Sequence, residues 1–340
     1  MKRVRLNPTV LRRNEVEMNT HVKSCLVSLA ALSFAAAAEA ADAGVLVSVQ
    51  KDVKVHLPGG KVRRAGAMQS LPAGSRVQVG TGGRAVVVLL KDGSRYVLGS
   101  GSVSSIAADD LKSVSGPTAG RLPSLKLQQA KILQGSRVAY GRSASMVVRG
   151  EDKIELQSLA GGATLQDRPV FKWSPVPGAT SYKIRLEDDN DRQILVREAT
   201  TSEVAYPADA PPLKSGVEYL WRVSTVVGDN LWTQHSNFHV LSDKKRQALQ
   251  AELDALKETD KPEDAEEAAL NSVLQAEVYA KYDLLDDAIT IYEQLIAKNP
   301  DSAALHSTLA TLLADQNRME SSKRSIERAT KLSQEVPETE

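Results

Sequence analysis

Residues 77–102 read VQVGTGGRAVVVLLKDGSRYVLGSGS, and this stretch decides how the first third of the chain folds. The glycine cluster at 80–83 would suit a phosphate-binding loop only if a helix N-terminus came next, because such loops direct backbone N–H groups at the anion. The cluster instead leads into the β-branched run RAVVVLL at 84–90, which predicts a strand. Asp92 to Ser94 read DGS and precede the short β run RYVL at 95–98; Asp-Gly tolerates the positive φ angles of a tight hairpin turn. The stretch therefore predicts a hairpin, with Asp92 and Ser94 as turn residues and not as catalytic groups.

The N-terminal segment predicts export. Residues 24–41 read SCLVSLAALSFAAAAEAA, an apolar run that comes after Lys23 and contains an A-x-A cleavage signature at 38–40. Translation from Met18 would give a positively charged region of ordinary length before this run. We expect a signal peptide over residues 1–41 and a periplasmic protein of the bacterial cell envelope; the alternative is that the same residues remain as an uncleaved anchor.

Charge is distributed unevenly along the remaining chain. Residues 42–150 contain 16 Lys and Arg against 5 Asp and Glu, whereas residues 242–340 contain 12 against 21. In an exported protein the basic part would meet anionic envelope glycan or lipid headgroups more readily than nucleic acid. A basic surface that serves only solubility explains the same composition.

Short runs ended by glycine or proline continue on both sides of the hairpin and predict an all-β module over residues 42–112. Several turn motifs succeed one another in a fixed order: Pro58-Gly59-Gly60, Gly66 with Leu71 and Gly74, Val79-x-Thr81 and Asp92-Gly93-Ser94. Over residues 44–110 this order resembles the FecR-like periplasmic domain, which implies an exported β domain.

Some members of that family are envelope sensors between an outer-membrane receptor and a cytoplasmic sigma factor. Those members carry a cytoplasmic tail of several dozen residues before a transmembrane helix, whereas at most 23 residues precede the apolar run here. A FecR-like sensor subunit anchored in the inner membrane is therefore the alternative function.

Residues 113–152, rich in Ser, Gly and Arg, are expected to form a β-rich connection.

A second β module is predicted over residues 153–241. The runs YKIRL at 182–186 and YLWRV at 219–223 alternate large with polar residues, which is typical of strands with one buried face. Leu213 and Tyr219 have the spacing of a tyrosine corner, which pins a crossing between two sheets. Together these features resemble a fibronectin type III-like β-sandwich.

The aromatic residues of this module have two interpretations. Trp173, Tyr182, Tyr219 and Trp221 alternate with polar residues, so they are expected to face inward and form the core. The alternative is a stacking platform for a sugar.

Two polar motifs in the same module resemble metal sites only superficially. His235 and His239 have the spacing of helical metal ligands, but the residues around them predict a strand. The acidic run at 188–191 lacks the glycine that a calcium loop needs for its turn, so a solvated hairpin loop is expected. Cys25, the only cysteine, lies within the expected signal and would be absent from the mature chain. We therefore expect neither an enzyme nor a cofactor.

Residues 242–336 predict helices. Ser242 is suited to be an N-cap, and Gln247 to Lys257 shows apolar residues at helical spacing. Small and large residues then recur with a period of 34: Ala276, Tyr279, Ala288, Tyr292 and Pro300 correspond to Ala310, Leu313, Ser322, Ile326 and Gln334. Over 269–336 this pattern resembles two tetratricopeptide repeats, followed by residues 337–340 as a flexible tail. Because stable solenoids usually need about three units, either the helix at 243–258 acts as a cap or the repeats pair with another chain.

The resemblance implies a groove on the first helix of each repeat that holds a segment of a partner protein. The residues on that side would be Leu270, Val273, Glu277, Ala280, Lys281, Ala304, Ser307, Thr311 and Asp315. An ordinary structural solenoid explains the same repeats.

The chain is thus expected to be multidomain, β then α: a FecR-like module, a fibronectin type III-like sandwich and a tetratricopeptide-like solenoid. The function expected from this organisation is that of an exported, non-enzymatic envelope scaffold that binds a protein partner. Besides the sensor subunit, binding of peptidoglycan or another anionic polysaccharide by the basic module is an alternative.

Overall fold

The computed structural model describes residues 41–136, 154–257 and 265–334. The expected signal peptide, apart from Ala41, and the expected flexible tail lie outside these residues. The elements are, in chain order, β1 Asp42–Gln50, β2 Val53–His56, β3 Val62–Arg64, β4 Gln69–Pro72, β5 Arg76–Val79, β6 Arg84–Leu89, β7 Arg95–Leu98, β8 Val103–Ile106, β9 Leu111–Ser115, β10 Gly120–Leu122, α1 Leu127–Gly135, β11 Ala163–Thr164, β12 Val170–Lys172, β13 Tyr182–Asp188, β14 Gln193–Ala199, β15 Glu203–Ala205, β16 Glu218–Val227, β17 Asn230–Val240, α2 Asp243–Lys257, α3 Ala265–Lys281, α4 Leu285–Lys298, α5 Ala303–Asp315 and α6 Met319–Leu332.

The first β module consists of two five-stranded sheets, ordered β10-β7-β6-β1-β4 and β3-β2-β5-β8-β9. Val53, Val55 and Val77 of the second sheet pack against Leu46 and Val87 of the first. The predicted hairpin is confirmed, since β6 and β7 pair antiparallel. Asp92 closes the turn by accepting hydrogen bonds from Ser94, at 2.9 Å from its N–H and 2.7 Å from its hydroxyl. The glycine cluster opens a strand and does not bind a phosphate in the manner of a strand–loop–helix motif.

Of the β-rich connection expected over residues 113–152, residues 137–152 lie outside the described residues, and the described part contains a helix besides strands. Residues 120–122 return to the first sheet as β10, which pairs with β7. Residues 127–135 then form α1, although the alternation at Leu125 and Leu127 suggests a strand. The helix forms because Ala130 and Leu133 share one face and both become buried.

The second β module is a two-layer sandwich. Its larger sheet has the order β11-β17-β16-β13-β14, and β12 pairs with β15 in the smaller one. The hydroxyl of Tyr219 accepts a hydrogen bond from the N–H of Lys214 at 2.8 Å, so the predicted pinned crossing is confirmed. The run at 188–191 forms the β13–β14 hairpin loop, and His235 and His239 lie on β17, as predicted.

The aromatic residues of this module form its core. Trp173 and Trp221 are fully buried, and Tyr182 and Tyr219 are 5% and 3% exposed. The Trp173 and Tyr182 rings lie 5.3 Å apart in an edge-to-face arrangement. Core packing is confirmed, and a sugar-stacking platform made of these residues is excluded because no ring face is open to a ligand.

The helices α3 to α6 form two hairpins whose equivalent positions lie 34 residues apart. Ala276, Ala288, Ala310 and Ser322, the small residues of the predicted repeat, are all fully buried. Small side chains at these points let consecutive helices approach closely. Ser322, which replaces the expected alanine, donates its hydroxyl proton to the carbonyl of Ala310 at 2.7 Å. The 34-residue period in the sequence is therefore a period in the structure.

The helices share a hydrophobic core with the first β module, although each β module also has an interior cluster of its own. One hydrophobic cluster joins Val45, Val86 and Val88 of the first β module to Leu270 and Val273 of α3. The sheet that carries β1 and β6 is thus buried on both faces, which explains why β6 reads as a continuous apolar run. The described residues form one compact unit. Within the described residues, no helix is both long and apolar enough to cross a membrane.

Candidate partner-binding surface

The residues expected to line a repeat groove are not all accessible. Leu270, Val273 and Ala280 are at most 7% exposed, and Glu277 is 9% exposed. The carboxylate of Glu277 accepts a hydrogen bond from the hydroxyl of Tyr292 at 2.7 Å. These four side chains stabilise the helix packing, so the groove expected from the repeat pattern is not open along α3.

The first β module covers this side of the helices. Strand β1 contacts α3, and β4 contacts α5. Arg95 of β7 lies 3.5 Å from the carboxylate of Glu267 on α3. Ser302, the N-cap of α5, donates its hydroxyl proton to the carbonyl of Ala67. The α3 part of the surface that would receive a partner segment is therefore covered by the chain's own sheet.

The other expected groove residues have different surroundings. Lys281 is exposed and pairs with Glu252 of α2 at 2.7 Å. Thr311 donates its hydroxyl proton to the carbonyl of Ser307 within the same helix, and Ala304 is partly buried. Of the expected set, Ala280 and Asp315 line the same cavity.

That cavity, of about 480 Å³, lies at the junction of the second β module with the helices. Its polar lining is mainly acidic: Glu218, Asp283 and Asp315. Glu218 already accepts a hydrogen bond from the amide of Asn237 at 3.1 Å. Within the described residues no group of three or more His, Cys, Asp or Glu side chains is placed to hold a metal ion.

A second cavity of about 360 Å³ lies entirely on α4, α5, α6 and the residue before α6. We call it the repeat pocket. It is lined by Glu293, Ile296, His306, Leu309, Leu313, Arg318, Ser321, Arg324, Ser325 and Arg328. The apolar residues come from α4 and α5, whereas the three arginines belong to α6 and its N-cap.

The arginines of the repeat pocket retain unused hydrogen-bonding capacity. The Nε of Arg318 is buried and makes no hydrogen bond to any described residue. Arg324 donates to the hydroxyl of Ser321 at 2.8 Å, and Arg328 lies 3.2 Å from the carboxylate of the exposed Asp301. Burial, together with nearby Arg328, lowers the pKa of His306, against the opposing effect of its hydrogen bond to Pro300, so this ring is neutral near pH 7. Guanidinium groups beside an apolar wall suit a peptide that carries carboxylates and an apolar side chain.

The spacing of polar residues in the sequence indicates this pocket, although the tetratricopeptide resemblance directs attention to other helices. Residues 321, 324, 325 and 328 are spaced by three or four positions, and therefore share one face of a helix. The groove implied by the resemblance lies on the first helix of each repeat, α3 and α5, and so it does not include α6.

The second β module fixes the start of two of these helices. Asp286, in the first turn of α4, accepts hydrogen bonds from the N–H of Leu159 and from the amide of Gln316, both at 2.8 Å. Glu155 binds Ser321 in the first turn of α6. The indole N–H of Trp221 donates to the carbonyl of Leu159 at 2.9 Å, which connects this segment to the sandwich core. The helices are therefore held between two β modules.

The comparisons with known proteins match this arrangement only at the level of a family. Residues 143–326 match the family described as Domain of Unknown Function (DUF928), a range that spans both the second β module and most of the helices. The search of curated proteins found no match. Among solved structures, a multi-domain immunophilin from Arabidopsis thaliana is similar at 9% identity, covering 50% of this chain and 96% of that one, with a TM-score of 0.20. That score is too low to support any statement about the fold.

Proposed function

This chain belongs to the DUF928 family, and we propose that it is an exported, non-enzymatic scaffold of the bacterial cell envelope that binds a protein partner at the repeat pocket. The observation that carries the proposal is the open pocket on α4 to α6, which combines three arginines with an apolar wall. Its arginines are exposed or partly exposed, whereas the residues expected to line the groove on α3 are buried except for Lys281.

The proposed identities of the modules rest on separate features. A FecR-like first module is supported by the order of its turns, including Gly74 and Gly93, both of which have positive φ angles. A fibronectin type III-like second module is supported by its two-sheet arrangement and by the Tyr219 corner. Tetratricopeptide-like repeats are supported by the buried small residues at a 34-residue period.

Export is supported by the apolar run and the A-x-A signature before residue 42. Cell fractionation combined with N-terminal sequencing tests it. We expect a chain that begins near Ala41 in the periplasmic fraction. An intact N-terminus in the membrane fraction would instead favour the anchored sensor subunit.

The proposed partner is a protein segment that offers an apolar side chain flanked by carboxylates. The apolar side chain would contact Ile296, Leu309 and Leu313, and the carboxylates would pair with the guanidinium groups of α6. Of these groups, Arg324 is exposed and the side chain of Arg328 is 40% exposed, whereas the Nε of Arg318 is buried, so Arg324 and Arg328 are the targets for substitution.

Co-purification of the whole chain with envelope proteins tests the binding surface. Variant R324E/R328E reverses two charges that line the repeat pocket, and K323E/K331E reverses two exposed charges of the same helix outside it. We expect a saturable partner that is lost with the first variant and retained with the second. Equal retention, or equal loss, in both folded variants would contradict binding at this pocket.

A further inference from the structure

The second sheet of the first β module presents an outward face that no other described element covers. On β2 and β5, Val53, Val55 and Val77 point into the core, so the alternate residues point outward. Strand pairing places five cationic or titratable side chains on this face: Lys54, His56, Arg64, Arg76 and Lys112. We call this outward face of the second sheet the basic sheet face. From β3 to β9 it extends about 19 Å, four strand spacings.

Two cations lie directly opposite one another on this face, because Lys54 pairs in register with Arg64. His56 pairs in register with Arg76. Pairs of like charges destabilise a sheet, whereas opposite charges stabilise it. The outward positions in register with them are filled by Val62, Gln78, Val103, Ser105 and Ser115, and none is acidic.

The Lys and Arg side chains of the face form no ion pairs with other described residues. Among the described residues, the side chains of Lys54, Arg64, Arg76 and Lys112 form none of the ion pairs found. His56 shares a hydrogen bond of 2.8 Å with the amide of Gln78. An anionic ligand would therefore neutralise repulsion within the sheet without displacing an acidic side chain.

The residue types on the face discriminate among anionic ligands. Single-stranded nucleic acid is usually held by aromatic side chains that stack on bases, and membrane surfaces are contacted by aromatic residues at the headgroup level. The outward positions of the basic sheet face include no Phe, Tyr or Trp. Its neutral positions are a glutamine, two serines and two valines. Hydroxyl and amide groups among cations suit a polymer of hydroxylated, negatively charged units.

We propose that the basic sheet face binds an anionic polysaccharide, with its carboxylate or phosphate groups over Lys54, Arg64, Arg76 and Lys112. The proposal rests on the proposed export, which would place this face among envelope polymers. It differs from the repeat pocket in location and ligand, so the chain would join a polymer at one end to a protein at the other.

Binding of the whole chain downstream of residue 41 to polygalacturonate, a polymer of uronic acid, tests this assignment. Variant K54Q/R76Q/K112Q removes three charges from the face, and K51Q/K126Q/K131Q removes three exposed charges outside it, one between β1 and β2 and two at α1. We expect binding that weakens with added salt and falls roughly tenfold or more in the first variant but about twofold or less in the second. Neutral dextran should not bind.

Equal losses in the two variants, or no binding to polygalacturonate at low salt, would overturn the proposal. Tighter binding to vesicles with anionic lipid, or to a single-stranded oligonucleotide, would overturn it as well and assign the face to that ligand. Partner binding at the repeat pocket should be unchanged in K54Q/R76Q/K112Q, so the two proposals can fail separately.

Discussion

The carboxylate of Glu155 accepts two hydrogen bonds from Ser321, 166 positions away in the chain, at 3.0 Å from its N–H and 2.6 Å from its hydroxyl. Ser321 lies in the first turn of α6, where backbone N–H groups have no partner within the helix. A negative charge is also favourable at a helix N-terminus. One residue of the second β module thus completes the helix that carries the arginines of the repeat pocket.

Removing this charge should destabilise the whole unit. We expect Glu155→Gln to lower the free energy of unfolding by about 1–3 kcal/mol, because hydrogen bonds to a charged, buried acceptor are lost or weakened. Urea unfolding measures the effect. Glu198→Gln, at an exposed position of β14, is the control and should change stability little. If the two variants are equally stable, the contact does not hold the modules together.

The shared core makes a prediction about two adjacent valines of β6. Val87 faces the interior of the first β module, and Val88 faces the helices. We expect Val88→Ala and Val87→Ala to cost similar free energies, about 1–3 kcal/mol each, since both remove buried methyl groups. Val226→Ala, at a position that is 59% exposed, should cost far less. A Val88 variant as stable as the Val226 variant would show that β6 does not pack on the helices in solution.

Substitution of two neighbouring glycines distinguishes the free-energy cost of backbone strain from the cost of steric overlap. Gly161 and Gly162 both have positive φ angles, 109° and 79°. A Cβ at Gly162 would lie 2.3 Å from the carbonyl oxygen of Asp283, whereas one at Gly161 would meet no atom within 4 Å. Gly162→Ala should therefore cost about 1–3 kcal/mol more than Gly161→Ala in urea unfolding. Equal costs would mean that this segment does not contact the α3–α4 turn so closely.

The contact of α2 with the α3–α4 turn should depend on pH. Burial, followed by its hydrogen bond to Glu252, raises the pKa of Tyr282 to about 12 from 10.0. A raised pKa stabilises the fold fully below the unfolded value and less as pH rises from 10 to about 12. We expect Tyr282→Phe to reduce the loss of stability over this range, relative to Tyr96→Phe. An identical alkaline profile for both variants would contradict the arrangement.

At acidic pH, the stability that this contact provides depends on the ionisation of Glu252. Burial opposes ionisation, but hydrogen bonds from Lys281 and Tyr282 lower the pKa of this carboxyl below its ordinary value of 4.5. Its stabilising effect is therefore present above that value and is lost as pH falls through the lower folded pKa.

Local sequence patterns predicted the strands, turns and helices, whereas long-range contacts determine which of their surfaces are buried. The Asp92 turn, the alternating aromatic residues of the sandwich and the 34-residue period each depend on neighbours in sequence or on one strand face, and each is confirmed. The groove on α3 could not be evaluated in this way, because Leu270 is buried by strands more than 180 positions earlier. The unbroken apolar run at 85–90 was the available signal, since burial on both faces removes the polar alternation of a strand.

Site-specific crosslinking at the repeat pocket tests the central claim most directly. A photoreactive phenylalanine analogue at Ser325 would lie in the pocket, and the same analogue at Thr330 would lie on the exposed part of the same helix. We predict a single discrete protein adduct from Ser325 that disappears in the R324E/R328E background, with none from Thr330. Adducts from both positions, or a Ser325 adduct that survives the charge reversal, would contradict the assignment of this pocket as the binding surface.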